Sequence, residues 1–411
     1  MDDGFIKAVL HEKTADLKNA YVSKRAKEEA ILEACKWRNL DDLRRLAESP
    51  GGFLNDNIRQ QAWPVLLGLS SSGDVADSTE SGSWKELPRH RDEDQVQLDV
   101  NRAFIYYPNH QNEAELDQQK AELSALIVEV LRRFPYLCYF QGYHDICQVL
   151  LLVLPPALRA PAVSRLSALR IRDFMLPSLA PAIAQLRLIP DILHAADPAL
   201  WRHLSGTEPF FALSGTLTMY AHDITTLGEI ARLFDVLLAR EPVFSVYMFA
   251  AIVRGRRSEL FDTPADEPEM LHSILSKLPR PLDLDKLIAD TKTLLDAHPP
   301  ESLGRHHSAW RRCISPSSVL KTARDADACA AQSMDDGRLF FERQVAELQW
   351  IERKDKLLEL LRRYRRPAVR TTLGLAIAVG VFAVLLRRGD SASLGGGTMA
   401  YVSSLLARLV R

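Results

Sequence analysis

Apolar residues recur along this chain at helical spacing, and neither the alternation of a half-buried strand nor an Asn-Gly hairpin dipeptide interrupts them. In a charged stretch from about 13 to 48, Leu17, Val22, Ile31, Leu32, Leu40, Leu43 and Leu46 mark one or two amphipathic helices. Residues 124–134 (SALIVEVLRRF) and 146–154 are helical runs on either side of a short aromatic loop, and Pro155-Pro156 ends the second of them. Residues 169–176 (LRIRDFML) mix charge with large apolar groups, Phe210 to Leu238 contains two helical periods, and Ser273 to Leu295 reads as closing helices. Pro242 to Val253 is continuously apolar, but about a dozen residues are too few to span a bilayer, so a buried core helix is predicted. Between Ser70 and Glu93 the chain is polar and turn-rich, as expected of a mobile connection. After 297 the text HPPESLGRHHSAWRRCISPSS reads as linker, and at 338–363 an intermittent stripe of Phe341, Val345, Leu348, Leu358 and Leu361 predicts an amphipathic stalk helix. The pattern therefore predicts an all-α fold, with a helical segment at 1–49, one multi-helix domain at 50–290, and linker and stalk at 291–366.

The last apolar run differs in kind. Thr371 to Leu386 carries no charge and is bracketed by Arg370 and Arg387-Arg388, which predicts a transmembrane anchor over 367–388 followed by a short tail at 389–411. At 1.5 Å per residue the uncharged run covers roughly 24 Å against a ~30 Å hydrocarbon core, which favours a thin bilayer such as the endoplasmic reticulum. Arg362, Arg363, Arg365 and Arg366 form a basic collar upstream, the arrangement expected when the portion before the anchor is cytosolic.

Composition narrows the chemistry. With 411 residues, 47% of them hydrophobic, the chain can bury one large domain, and its formal net charge of −1 provides no global basic field for nucleic acid. Cys35, Cys138, Cys147, Cys313 and Cys329 form no CxxC pair and suit a reducing compartment. The amino terminus has early acids and no apolar core of a secretory signal. His144 and Cys147 share a helical face, but two residues do not make a metal site, and none is expected.

Three short motifs stand in order within the domain. Arg59-Gln60-Gln61-Ala62-Trp63-Pro64-Val65-Leu66-Leu67-Gly68 is an amphipathic turn with a tryptophan expected in the core and a closing glycine. In Val96-Gln97-Leu98-Asp99-Val100-Asn101-Arg102, positions 96, 99 and 102 lie on nearly one helical face, so that Val96 and Val100 anchor a helix from which Arg102 projects. In Tyr139-Phe140-Gln141-Gly142-Tyr143-His144-Asp145 a neutral amide and a flexible glycine sit among aromatic anchors between two helices. Taken together, in this order, the three resemble RxxxWxxLLG, IxxDxxR and YxQG of the TBC domain of Rab GTPase-activating proteins. LFD at 233–235 resembles a further motif in which tryptophan usually precedes the aspartate, where this chain has Phe234.

The resemblance implies that Arg102 and Gln141 are fingers inserted into the active site of a GTP-loaded Rab, supported by Asp99, Tyr139, Gly142 and Asp145, with Arg59 and Trp63 as the core motif. GTP hydrolysis passes through a loose transition state whose charge lies on γ-phosphate oxygens, so catalysis is positioning and electrostatics. A guanidinium is planar, permanently charged and able to donate two parallel hydrogen bonds, whereas lysine lacks the fork. A carboxamide both accepts from and donates to the attacking water without bringing negative charge to the phosphate, as glutamate would. The chain has no P-loop, so it needs no cofactor of its own, and GTP and Mg2+ arrive with the Rab. The resemblance is strongest to an endoplasmic-reticulum-anchored branch of the family, whose partners are Rabs of the early secretory pathway and lipid droplets. A catalytically silent Rab-binding scaffold on the same fold is the alternative.

Overall fold

The computed structural model describes residues 23–69, 83–108, 112–304 and 308–387, the side chains of 326 and 361–387 excepted. Among them every regular element is helical. The centre is the helix Leu227–Ala239, buried without interruption from Ile230 to Ala239. It packs against Leu40–Glu48, Asp56–Leu66, Tyr143–Val153 and Leu284–Ala297. Its burial continues around the whole helix, and its two buried charged residues, Arg232 and Asp235, are both paired inside the protein. Beside it, Val243–Gly255 is buried from Val246 to Val253 and lies against Leu188–Ala196 and Leu284–Ala297, the core helix that its short apolar run predicts.

Residues 23–49 of the amino-terminal segment dock on this core, while 1–22, with Leu17 and Val22, lie outside the described residues. Ile31, Ala34, Leu40, Leu43 and Ala47 are buried, and Arg232 of the central helix donates to the carbonyls of Ala47 and Ser49 at 2.8 and 3.1 Å. The expected mobile connection shrinks from its far end: residues 70–82 are outside the described residues, whereas Trp84–Glu86 forms a 3-10 turn, His90 is buried, and Glu93 receives two bonds from Arg132 at 2.7 and 2.9 Å.

The boundary expected at 290 falls inside the helix Leu284–Ala297, and the compact unit continues to Val345. Trp310, Ile314, Val319, Leu320, Cys329, Phe341 and Gln344 are all buried, so much of the expected linker belongs to the domain. It reads as linker because its apolar residues are scattered and its attachment runs through polar side chains, which hydrophobic periodicity does not register.

From Ala346 onward the chain forms a separate unit, described as the continuation of the helix Met334–Arg387, with Trp350, Ile351, Leu357, Leu358 and Leu360 exposed. Among the described residues no helix is long and apolar enough to cross a membrane. Residues 371–386 are helical in backbone, but the side chains of the expected anchor, and the tail at 389–411, lie outside the described residues.

Candidate functional site

The helix Glu93–Val100 starts with acids in its first turn and seats Val96 and Val100 in the core with no exposure. It ends two residues sooner than the i, i+3, i+6 spacing suggests, and Arg102 lies in the turn beyond, its N–H donating to Asp99 O at 3.0 Å. The Arg102 side chain is 65% exposed, while that of Asp99 is only 1% exposed. Asp99 is the hinge of the site. Its Oδ1 accepts from Arg102 Nη2 at 2.9 Å and Gln95 Nε2 at 3.1 Å, and its Oδ2 accepts from the Tyr139 hydroxyl at 2.9 Å. Burial, together with the neighbouring Asp99 carboxylate, pushes the Tyr139 hydroxyl well up, so it stays protonated and remains the donor.

Tyr139 opens the loop that carries Gln141, between Glu113–Arg133 and Tyr143–Val153. The loop is held at three points. Tyr139 N donates to Asp92 Oδ2 at 2.9 Å, Cys138 N donates to Met175 O at 2.8 Å, and the Phe140 ring lies 6.0 Å from that of Phe174. Phe140 and Tyr143 are buried aromatics, while Gln141 is exposed. Gly142 is required on two counts. Its φ of +98° is a left-handed conformation, and a Cβ there would come within 2.6 Å of Thr218 Cγ2.

Arg102 and Gln141 thus stand on two loops linked through one buried carboxylate, and both line a groove of about 870 Å³ together with Asp99, Tyr139, Gly142 and Asp145. Asp145 lies between His144 Nε2 at 3.3 Å and His222 Nδ1 at 3.1 Å. The hydrogen bond to Asp145 raises the pKa of His222, while burial lowers that of His144. Among the described residues no group of three or more His, Cys, Asp or Glu side chains is placed to hold a metal ion.

Arg59 and Trp63 are elsewhere. Both are buried beneath the central helix on Asp235, which accepts from Arg59 Nε and Nη2 at 3.0 and 3.2 Å, Trp63 Nε1 at 2.9 Å and Phe53 N at 2.9 Å. They therefore hold the scaffold and do not line the groove. Sequence reasoning missed three contributors. Asp235 was visible only as part of LFD. Gln148 is a lone amide in the apolar run 146–154, and it holds the arginine loop by accepting from Phe104 N at 3.1 Å and donating to Tyr107 O at 3.2 Å. His222 carried no local signal.

The Rab-GTPase-TBC domain model matches residues 56–261, which include all of these motifs. GTPase-activating protein gyp10 of Schizosaccharomyces pombe is 34% identical over 315 residues, covering 76% of this chain and 82% of that protein. The chain belongs to the Rab-GTPase-TBC domain family. TBC1 domain family member 20 of Homo sapiens is 31% identical over 345 residues, 83% of each chain. The crystal structure of the Ypt/Rab-GAP domain of Gyp1p shares the fold, with a TM-score of 0.50 at 17% identity over 62% of this chain and 92% of that one. The three motifs therefore identified the family correctly, and this TBC chain is a Rab GTPase-activating protein whose partner is a Rab GTPase.

Proposed function

We propose that this TBC chain completes the active site of a GTP-loaded Rab in trans, with Arg102 neutralising γ-phosphate charge and Gln141 aligning the attacking water. The observation that carries this reading is the Asp99 carboxylate, which is tied at one oxygen to Arg102 and at the other to Tyr139, two residues before Gln141. A buried anion with defined donors on both sides fixes the relative placement of two exposed loops, and transition-state stabilisation depends on such preorganisation. GTP and Mg2+ come with the Rab.

The site of action is the cytosolic face of the endoplasmic reticulum, and the substrate a Rab of the early secretory pathway or lipid droplets. The uncharged run at 371–386 with its arginine brackets supports the anchor, and the resemblance to the reticulum-anchored branch supports the address. Truncation after residue 366 is expected to move the protein from the membrane pellet to the cytosol with its activity in solution retained. Extraction of the full chain by high salt or carbonate would overturn the anchor.

The test of the activity is single-turnover GTP hydrolysis by a panel of loaded Rabs with the chain to residue 366. A fragment ending near 290 would lose the buried residues between Ala309 and Gln344. Stimulation of at least one Rab is expected, whereas tight binding without stimulation would leave the silent scaffold. Asp99→Asn removes the charge but keeps the shape, so it is expected to slow saturated turnover by about 10²-fold, the cost of a misplacement on the order of 1 Å, with Rab binding largely retained. Equal loss of binding and turnover would contradict the linking role.

A further inference from the structure

Arg172 and Asp173 adjoin in the 3-10 turn Arg172–Phe174, are 0% and 1% exposed, and are absent from the groove lining. Most of their hydrogen bonds reach residues well beyond 261, where the family match ends. Arg172 Nη2 donates to Ser317 O at 2.7 Å and Thr322 Oγ1 at 3.2 Å, and its Nε donates to Gln344 Oε1 at 3.1 Å. Asp173 Oδ1 accepts from Val319 N at 3.1 Å and Gln344 Nε2 at 2.9 Å, while Oδ2 accepts from the Ser318 hydroxyl. The Gln344 amide, 2% exposed, is thus gripped at both ends. One turn earlier on the same helix, Phe341 meets Tyr136 edge-on at 4.9 Å between ring centres, and the Arg172 guanidinium lies over Phe340 at 5.2 Å.

The other end of this turn holds the Gln141 loop. Phe174 and Met175 follow Asp173 directly. Phe174 packs on Phe140, and Met175 O accepts from Cys138 N, while Tyr136, the ring that Phe341 touches, lies five residues before Gln141. Along the chain, Phe174 and Met175, whose contacts place the Gln141 loop, lie one and two residues from Asp173, which Gln344 holds.

We propose that residues 308–345 brace the Gln141 loop, with Gln344 and Phe341 as positioning residues that act on catalysis through Arg172–Met175 and Tyr136. This rests on the reading that Gln141 aligns the attacking water. Packed side chains joined by hydrogen bonds transmit such coupling only where the intermediate turn is itself rigid, which the complete satisfaction of the Asp173 carboxylate provides.

The experiment compares full-length wild type with Gln344→Met, which keeps the volume but lacks both hydrogen bonds, in otherwise wild-type, Gln141→Ala and Arg102→Ala backgrounds. The saturated hydrolysis rate is expected to fall by about three- to thirtyfold, the range for coupling mutations, with little change in the concentration giving half-maximal rate. The loss should vanish in the Gln141→Ala background and shrink in the Arg102→Ala background, where losing Gln141 itself is expected to add little. Native-state hydrogen exchange at the amides of 138–142 should accelerate relative to those of Val243–Gly255. An undiminished loss in the Gln141→Ala background, or unchanged exchange at 138–142, would overturn the brace. Phe341→Leu replaces Gln344→Met if the latter loses cooperative melting. A wild type that stimulates no Rab would remove the proposed function, and the exchange measurement would then decide alone whether the brace exists.

Discussion

Arg102→Ala is expected to cut stimulated Rab GTP turnover by about 10³-fold or more, the lower range for an arginine supplied in trans. Gln141→Ala should also be severe, because the water loses its guide, and the double variant should add little beyond the worse single change. Two groups that serve one transition state fail together. Neither substitution should disturb the fold. Gln141 is exposed, and the Arg102 side chain is 65% exposed, so neither fills the core. Removing the Arg102 side chain leaves Gln95 and Tyr139 still donating to Asp99, so the buried carboxylate keeps partners on both oxygens. Single-turnover hydrolysis by the most responsive Rab, with binding and thermal melting measured alongside, checks all three statements. Near-normal stimulated turnover in Arg102→Ala would remove Arg102 from the catalytic machinery.

What was legible in the chain was local. Val96 and Val100 announce their helix by spacing, and the dozen apolar residues from Pro242 are too few for a bilayer and too many for a surface, so their burial followed from length alone. Arg102 and Gln141 were found because each sits in a short motif. The bond that relates them joins Asp99 to Tyr139 across forty positions, and no periodicity encodes a contact between two loops. His222 reaches Asp145 across a separation of 77 residues for the same reason. Residues 308–345 read as linker and the start of a stalk helix on different grounds. They attach through Ser317, Ser318, Thr322 and Gln344 to the buried side chains of Arg172 and Asp173, so the polarity that suggested linker is what binds them to the domain.

Trp63→Ala is expected to destabilise the chain by about 3 to 5 kcal/mol, the range for deleting a buried large aromatic. Trp63 is fully buried, and its ring centre lies 5.9 Å from that of Phe234, the aromatic that stands where the family usually has tryptophan. Asp235→Ala is expected to cost at least as much although it deletes far less volume. It strips the acceptor from Arg59 Nε and Nη2, Trp63 Nε1 and Phe53 N at once, leaving Arg59 with the half-exposed Asp56 at 2.7 Å as its counter-charge, and removing one partner of a buried ion pair typically costs about 3 to 5 kcal/mol. The backbone offers no escape. Gly52, at φ +51°, places its α-carbon so that a Cβ would come within 2.5 Å of Asp235 Oδ2, and Phe53 N is thereby pinned to the carboxylate. Replacing both partners, Arg59→Met with Asp235→Leu, should recover part of the loss, since two apolar groups leave no buried charge behind. Urea unfolding of wild type, Trp63→Ala, Asp235→Ala, Arg59→Met, Asp235→Leu and the double variant decides the matter. A midpoint for Asp235→Ala equal to wild type would mean that the carboxylate is not the anchor of the first motif, and a double variant worse than either single would mean that packing, not charge, governs this part of the core.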